Sequence, residues 1–179
     1  VMTFNVLEYA RQGSIPIVFS SSREVYGDVH RFEGYDERAA DFAYTESTYS
    51  ASKIAGEAFI YSYARCYGLP YLVFRFSNVY GRYDNDLHRM VRVIPLFIHS
   101  LLRGEPITIY GGRDKTLDFT YVDDCVDGIT RGIERLASGR VVNETVNLAY
   151  GEGNTLVHCA ERIAHELGVE PRMTLAPSL

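Results

Sequence analysis

Tyr49 and Lys53 stand four residues apart, and upstream of them Ser20, Ser21 and Ser22 follow the apolar run Ile15-Pro16-Ile17-Val18-Phe19. On a helix the i,i+4 spacing puts the phenol and the ammonium on one face. A tyrosine hydroxyl ordinarily ionises near pH 10, so a tyrosine that acts as a base near neutrality needs that value lowered by roughly 3 units, about 4 kcal/mol. An ammonium one turn away supplies part of that stabilisation, and a cationic ligand ring supplies more. Phenol, ammonium and hydroxyl together make a proton-handling set. On their own the serines also fit a turn cap, and an isolated Y-x-x-x-K pair also fits a solvated helix face.

The elements that must hold these residues read as alternating strands and helices, the pattern of a doubly wound parallel sheet. Ile15 to Phe19 is a short buried strand stopping at the serines. In open α/β sheets ligands sit outside the carboxyl ends of strands, where Ser20, Ser21 and Ser22 would emerge. Tyr49 to Tyr67 is a long helix whose small residues Ser50, Ala51, Ser52, Ala55 and Gly56 leave room for a flat ligand, and Gly68-Leu69-Pro70 stops it. Further on, Met2 to Arg11, Ile94 to Leu102, Asp123 to Leu136 and Leu156 to Leu167 read as helices. Tyr71 to Phe76, Ile107 to Tyr110 and Asn143 to Ala149 read as strands, the last returning to the main sheet, while Tyr83 to Arg89 is a polar loop. There are no repeats or low-complexity stretches.

Bulk properties narrow the class. With 179 residues, 46% of them hydrophobic, the chain can bury a core but is short for two full domains. A net charge of -5 without a basic block argues against a nucleic-acid partner. Cys66, Cys125 and Cys159 lack metal-like spacing and read as reduced thiols. No apolar run approaches the roughly 18 residues of a membrane span, and no signal peptide is visible, so the expected compartment is the cytoplasm.

The motifs, taken in order, resemble the NAD-dependent epimerase/dehydratase branch of the extended short-chain dehydrogenase/reductase superfamily, in particular enzymes like UDP-glucose 4-epimerase. The matching runs are Thr3 to Glu8, Ser20-Ser21-Ser22 with Val25-Tyr26-Gly27, Tyr49-x-x-x-Lys53, Arg75 to Gly81, Arg103-Gly104-Glu105-Pro106 and Asp118 to Asp124. The family's Gly-x-x-Gly-x-x-Gly turn, which receives the dinucleotide pyrophosphate at a helix N-terminus, does not occur in these residues. The resemblance therefore implies an α/β fold, an incomplete Rossmann-like doubly wound parallel sheet with part of a smaller substrate-binding domain. It reads as a fragment lacking roughly the first third of a family member. Residues 1-78 would be the C-terminal part of the NAD-binding half. Residues 79-179 would be mainly sugar-nucleotide-binding, with segments about 118-149 returning to the first half.

By position, the resemblance makes Tyr49 the catalytic base and Lys53 the residue that holds the cofactor ribose and lowers the tyrosine's pKa. Ser22 becomes the hydroxyl that orients the reacting sugar hydroxyl and relays its proton. Ser20 and Phe76 fall on the NAD side, and Ser21 reads chiefly as structural. Asn78 matches an amide donor to the substrate diphosphate, Val93 follows a helix entrance near that diphosphate, and Thr108 and Tyr110 match strand positions lining the base pocket. The implied partner is a nucleotide-diphosphate sugar. The helices Met2 to Arg11 and Tyr49 to Tyr67 match those through which family members form a four-helix homodimer.

Two positions depart from the pattern. Many relatives place a diphosphate-clamping arginine immediately before the Asp-Phe-Thr-Tyr run, where this chain has Leu117, so the charge would come from Arg113, Lys115, Arg82, Arg89 or Arg92. Glu24 stands two residues after Ser22, where relatives that work at C5 of the sugar carry a glutamate. Arg23 occupies the place of the aspartate that some of them use as an acid. The expected reaction is 4-epimerisation. The alternatives are a dehydratase or decarboxylase using Glu24 at C5, a non-catalytic binding domain of the same fold, and an inactive fragment.

Overall fold

A computed structural model describes residues 2–27, 45, 47–84, 86–88 and 91–177. The chain divides into two compact units, Val1–Ser77 with Asp123–Ala149, and Asn78–Val122 with Tyr150–Leu179.

In the first unit the sheet runs β1-β2-β6 and is parallel throughout. Its strands are β1 (Ile17–Ser22), β2 (Tyr71–Phe76) and β6 (Glu144–Leu148). Parallel strands covered on both faces need near-continuous apolar sequence, which Tyr-Leu-Val-Phe in β2 supplies. Helices α1 (Met2–Gly13) and α2 (Thr48–Tyr67) cover one face. There Leu7, Ala10, Ile60, Tyr63, Leu69 and Val73 form a core. Gly56 lets α2 lie close to β1, since a Cβ there would collide with the Phe19 ring. Helix α4 (Val122–Ala137) contributes Leu136 to a second core with Leu72 and Phe74.

The strand carrying the serines differs from expectation: they are its last three residues rather than the stop after it. Pairing decides this, because Ser20, Ser21 and Ser22 lie in parallel register with Phe74, Arg75 and Phe76. The period of two then sends Ser20 and Ser22 to one face and Ser21 to the other.

Besides the strand Met173–Ala176, the second unit holds three strands that the alternation of apolar runs did not mark: β3 (Asn78–Tyr80), β5 (Thr116–Tyr121) and β7 (Gly153–Thr155). These form one sheet, β3-β5-β7, with β3 parallel and β7 antiparallel to β5. A separate pair joins β4 (Ile107–Tyr110) to β8 (Met173–Ala176). Helices α3 (Val93–Leu102) and α5 (Leu156–Leu167) pack with β4 around Phe97, Leu101, Ile107, Ile109, Leu156, Ala160 and Ala164. Among the described residues no helix is long and apolar enough to cross a membrane.

Candidate active site

Helix α2 begins at an N-cap, Ser47, which forms a reciprocal capping box with Ser50. The cap fixes where the helix starts, and so puts Tyr49 in its first turn and Lys53 one turn later. Lys53 Nζ donates to the Ser20 backbone carbonyl at 2.8 Å and lies 5.4 Å from the Tyr49 ring centroid and 5.5 Å from that of Phe19. Tyr49 is half exposed, at 49%. Phenol and ammonium thus stand together at the carboxyl end of β1, on a helix pinned to that strand.

Ser22 closes β1 and caps the 3-10 turn Arg23–Tyr26, its Oγ accepting from the Glu24 N–H at 3.2 Å. A serine hydroxyl offers one proton and two lone pairs. The cap uses a lone pair and leaves the proton. Glu24, exposed in that turn, accepts from Ser47 Oγ at 3.3 Å, which ties the start of α2 to the turn after Ser22. Phe76 is the register partner of Ser22 and packs beside Phe74, with ring centroids 6.3 Å apart.

Beneath these residues lies a cluster that sequence reasoning missed. Arg75 meets Glu57 through Nε at 2.9 Å and Nη2 at 2.6 Å, a bidentate pair with side chains only 2% and 4% exposed. Ser21 Oγ donates to Glu57 Oε1 at 2.5 Å and Tyr61 Oη donates to Glu57 Oε2 at 2.8 Å. Arg75 Nη1 donates to Tyr26 Oη at 3.1 Å, and Tyr26 Oη donates to Asn147 Oδ1 at 2.6 Å. Burial opposes charge on Glu57, yet the hydrogen bonds from Arg75 and Ser21 prevail and hold its carboxyl below the usual value. Burial likewise pushes the Tyr61 hydroxyl up to about 12. The available signal was a lone glutamate in the apolar stretch Ala55-Gly56-Glu57-Ala58-Phe59 and a lone arginine in an apolar strand. Buried opposite charges of that kind require each other.

The second unit carries the remaining candidates. Asn78 starts β3, and its Nδ2 donates to the Asp118 carbonyl at 2.8 Å, so part of the amide serves the sheet. Asp118 in turn accepts from the Tyr150 and Gly151 N–H groups at 3.1 and 2.7 Å, fixing the bend before β7. Thr108 and Tyr110 share the exposed face of β4, opposite the buried Ile107 and Ile109. Val93 is the first residue of α3 and packs against the apolar core. Leu117 packs against that core too, which is why an aliphatic side chain suits the position. Of the cations considered in its place, Arg92 pairs with Asp84 at 3.1 Å, while Arg113 and Arg82 are exposed and Lys115 partly buried. Arg89 lies outside the described residues.

The profile of the family described as the NAD dependent epimerase/dehydratase family matches residues 1–149. An uncharacterized UDP-glucose epimerase of Bacillus subtilis is 32% identical over 151 residues, covering 82% of this chain and 43% of the relative. A dTDP-glucose 4,6-dehydratase of Neisseria meningitidis is 33% identical over 158 residues, covering 83% and 42%. Among solved structures, the UDP-glucose 4-epimerase of Thermotoga maritima with UDP-glucose superposes with a TM-score of 0.86 at 27% identity, covering 99% of this chain and 55% of that one. The chain thus spans about half the length of the relatives it matches. With a parallel sheet, the Ser-Tyr-Lys set at the end of β1 and a family profile over most of its length, the chain belongs to the NAD dependent epimerase/dehydratase family.

Proposed function

We propose that these residues carry the proton-handling part of an NAD-dependent nucleotide-sugar 4-epimerase. The carrying observation is Lys53, bonded to the Ser20 carbonyl and set 5.4 Å from the Tyr49 ring centroid at the open end of β1. The donors here suit the nicotinamide-ribose end of NAD: an ammonium, a half-exposed phenol and the exposed Ser20, with Phe76 at the neighbouring strand end. The Gly-x-x-Gly-x-x-Gly turn that would receive the pyrophosphate does not occur in the 179 residues, which by themselves are expected to bind NAD weakly or not at all. When bound, NAD supplies the hydride acceptor and donor at the sugar carbon. Tyr49 takes the proton of the 4-hydroxyl as that carbon becomes a ketone, and returns it when the ketone is reduced from its other face. Lys53 places its positive charge beside the phenol, one helical turn away. Ser22 directs its hydroxyl proton at the sugar oxygen, with the Glu24 N–H holding the lone-pair side. Asn78, Val93, Thr108 and Tyr110 belong to the sugar-nucleotide half of this reading.

A second reading, elimination with Glu24 removing the C5 proton or decarboxylation with Glu24 acting at C5, is supported by the exposed carboxylate two residues after Ser22. Incubating the full-length protein with NAD and UDP-glucose separates epimerisation from elimination: the C4 epimer is expected, and a 4-keto-6-deoxy product would favour elimination. UDP-glucuronic acid in place of UDP-glucose tests decarboxylation by release of carbon dioxide. Glu24→Gln at an unchanged epimerisation rate would remove Glu24 from the chemistry. A homodimer through α1 and α2 accords with their exposed Met2, Phe4, Tyr9, Phe59 and Tyr67, and light scattering reads it directly.

A further inference from the structure

One residue before the strand ends, a polar row crosses the α2 face of the first sheet: Ser21, Arg75 and Asn147 are register partners on β1, β2 and β6. Glu57 and Tyr26 close over that row, from α2 and from the turn that Ser22 caps. Such a buried pair is a poor way to gain stability, because apolar residues of the same volume often do as well or better. What it supplies is direction. A bidentate guanidinium-carboxylate contact fixes two planes as well as a distance.

The connectivity shows what is being directed. Two adjacent bonds join α2 to the end of β1, Lys53 Nζ to the Ser20 carbonyl and Ser21 Oγ to Glu57 Oε1. Glu57 lies one helical turn beyond Lys53 and two beyond Tyr49, on the same face, while Ser21 precedes Ser22. A rotation or slide of α2 that would move Tyr49 and Lys53 relative to Ser22 would also have to break the Glu57 contacts. Those contacts are held in turn by Arg75, whose other nitrogen grips Tyr26 at the far end of the Ser22-capped turn.

We propose that Glu57, clamped by Arg75, is a positioning residue that sets Tyr49 and Lys53 against Ser22 through the Ser21 hydroxyl. The inference rests on the redox reading of Tyr49 given above. It assigns a rate-determining duty to groups that touch neither sugar nor dinucleotide. Misplacement of reacting groups by about 1 Å can cost up to about 100-fold in rate.

The test uses the full-length protein with NAD and UDP-glucose, or dTDP-glucose if elimination is the reaction. Ser21→Ala, which leaves the ion pair intact, is expected to lower kcat about tenfold with the sugar-nucleotide KM within about twofold. Glu57→Gln should lower kcat at least as much, and in the Ser21→Ala background it should add less than about threefold, because the two act through one link. Wild-type kcat in a folded Ser21→Ala protein overturns the proposal, as do losses that multiply independently. Where Glu57→Gln fails to fold, Ser21→Ala alone decides. Tyr49→Phe separates the two ideas: abolished turnover there with an unaffected Ser21→Ala sinks only the positioning role. A wild-type protein inactive on both sugars, or an active Tyr49→Phe, overturns the redox reading and this proposal with it.

Discussion

Two buried layers, one in each unit, solve the same packing problem with opposite chemistry. Around β4, α3 and α5 the core is apolar, with Phe97, Leu101, Ile107, Ile109 and Leu156 fitted around Ala160 and Ala164. Under α2, at the ends of β1 and β2, the buried layer is ionic and hydroxylic, built from Ser21, Glu57, Arg75 and Tyr26. Apolar burial is non-directional and tolerates small shifts, whereas a buried ion pair tolerates almost none. The directional layer sits beneath Ser22, Tyr49 and Lys53, the residues proposed to handle the proton. The apolar one sits where a framework is enough.

The sharpest way to break this contrast is to make the first layer resemble the second. Glu57→Leu alone leaves the buried Arg75 guanidinium without its carboxylate, and is expected to cost about 3–5 kcal/mol in urea unfolding. Adding Arg75→Met should restore most of that stability without restoring kcat. Recovery of both would erase the distinction. In the apolar layer, Ile109→Ala should cost about 3 kcal/mol through the cavity it leaves, with the kcat of the folded fraction unchanged. Gly132→Ala on α4 is expected to cost about 1–3 kcal/mol by overpacking, as its Cβ would lie 2.5 Å from Phe74 Cζ and 2.8 Å from Leu72 Cδ2. A smaller effect is on pH. The folded Glu57 carboxyl titrates below its ordinary value of 4.5, so its contribution to stability is complete above that pH and is lost as pH falls through the lower folded value. Acid unfolding followed by circular dichroism should show this limb in the wild type, and the Glu57→Leu/Arg75→Met protein should lack it.

How much of this was legible depends on how local each signal is. Strands β2 and β4 and helix α5 lie where their periodicity and flanking residues put them, because each rule there concerns neighbours in sequence. Strands β3 and β7, three residues each, are too short to show a period, and Asp118 broke the apolar run in β5. The serines misled for a related reason: hydropathy ended the strand at Phe19, whereas backbone pairing with β2 carries it to Ser22. The Tyr49-Lys53 spacing was readable as a helical pair. The Glu57-Arg75 contact joins a helix to a strand 18 residues on, and only the isolation of each charge in apolar sequence hinted at it.

The central claim is that Tyr49, supported by Lys53 and Ser22, moves the sugar hydroxyl proton during oxidation. Rapid mixing of the NAD-bound full-length protein with UDP-glucose, read by the absorbance of reduced nicotinamide, tests it most directly. The wild type should show reduction, and Tyr49→Phe should show it at least about 100-fold more slowly with bound NAD unchanged. Reduction by Tyr49→Phe at the wild-type rate and amplitude would contradict the account.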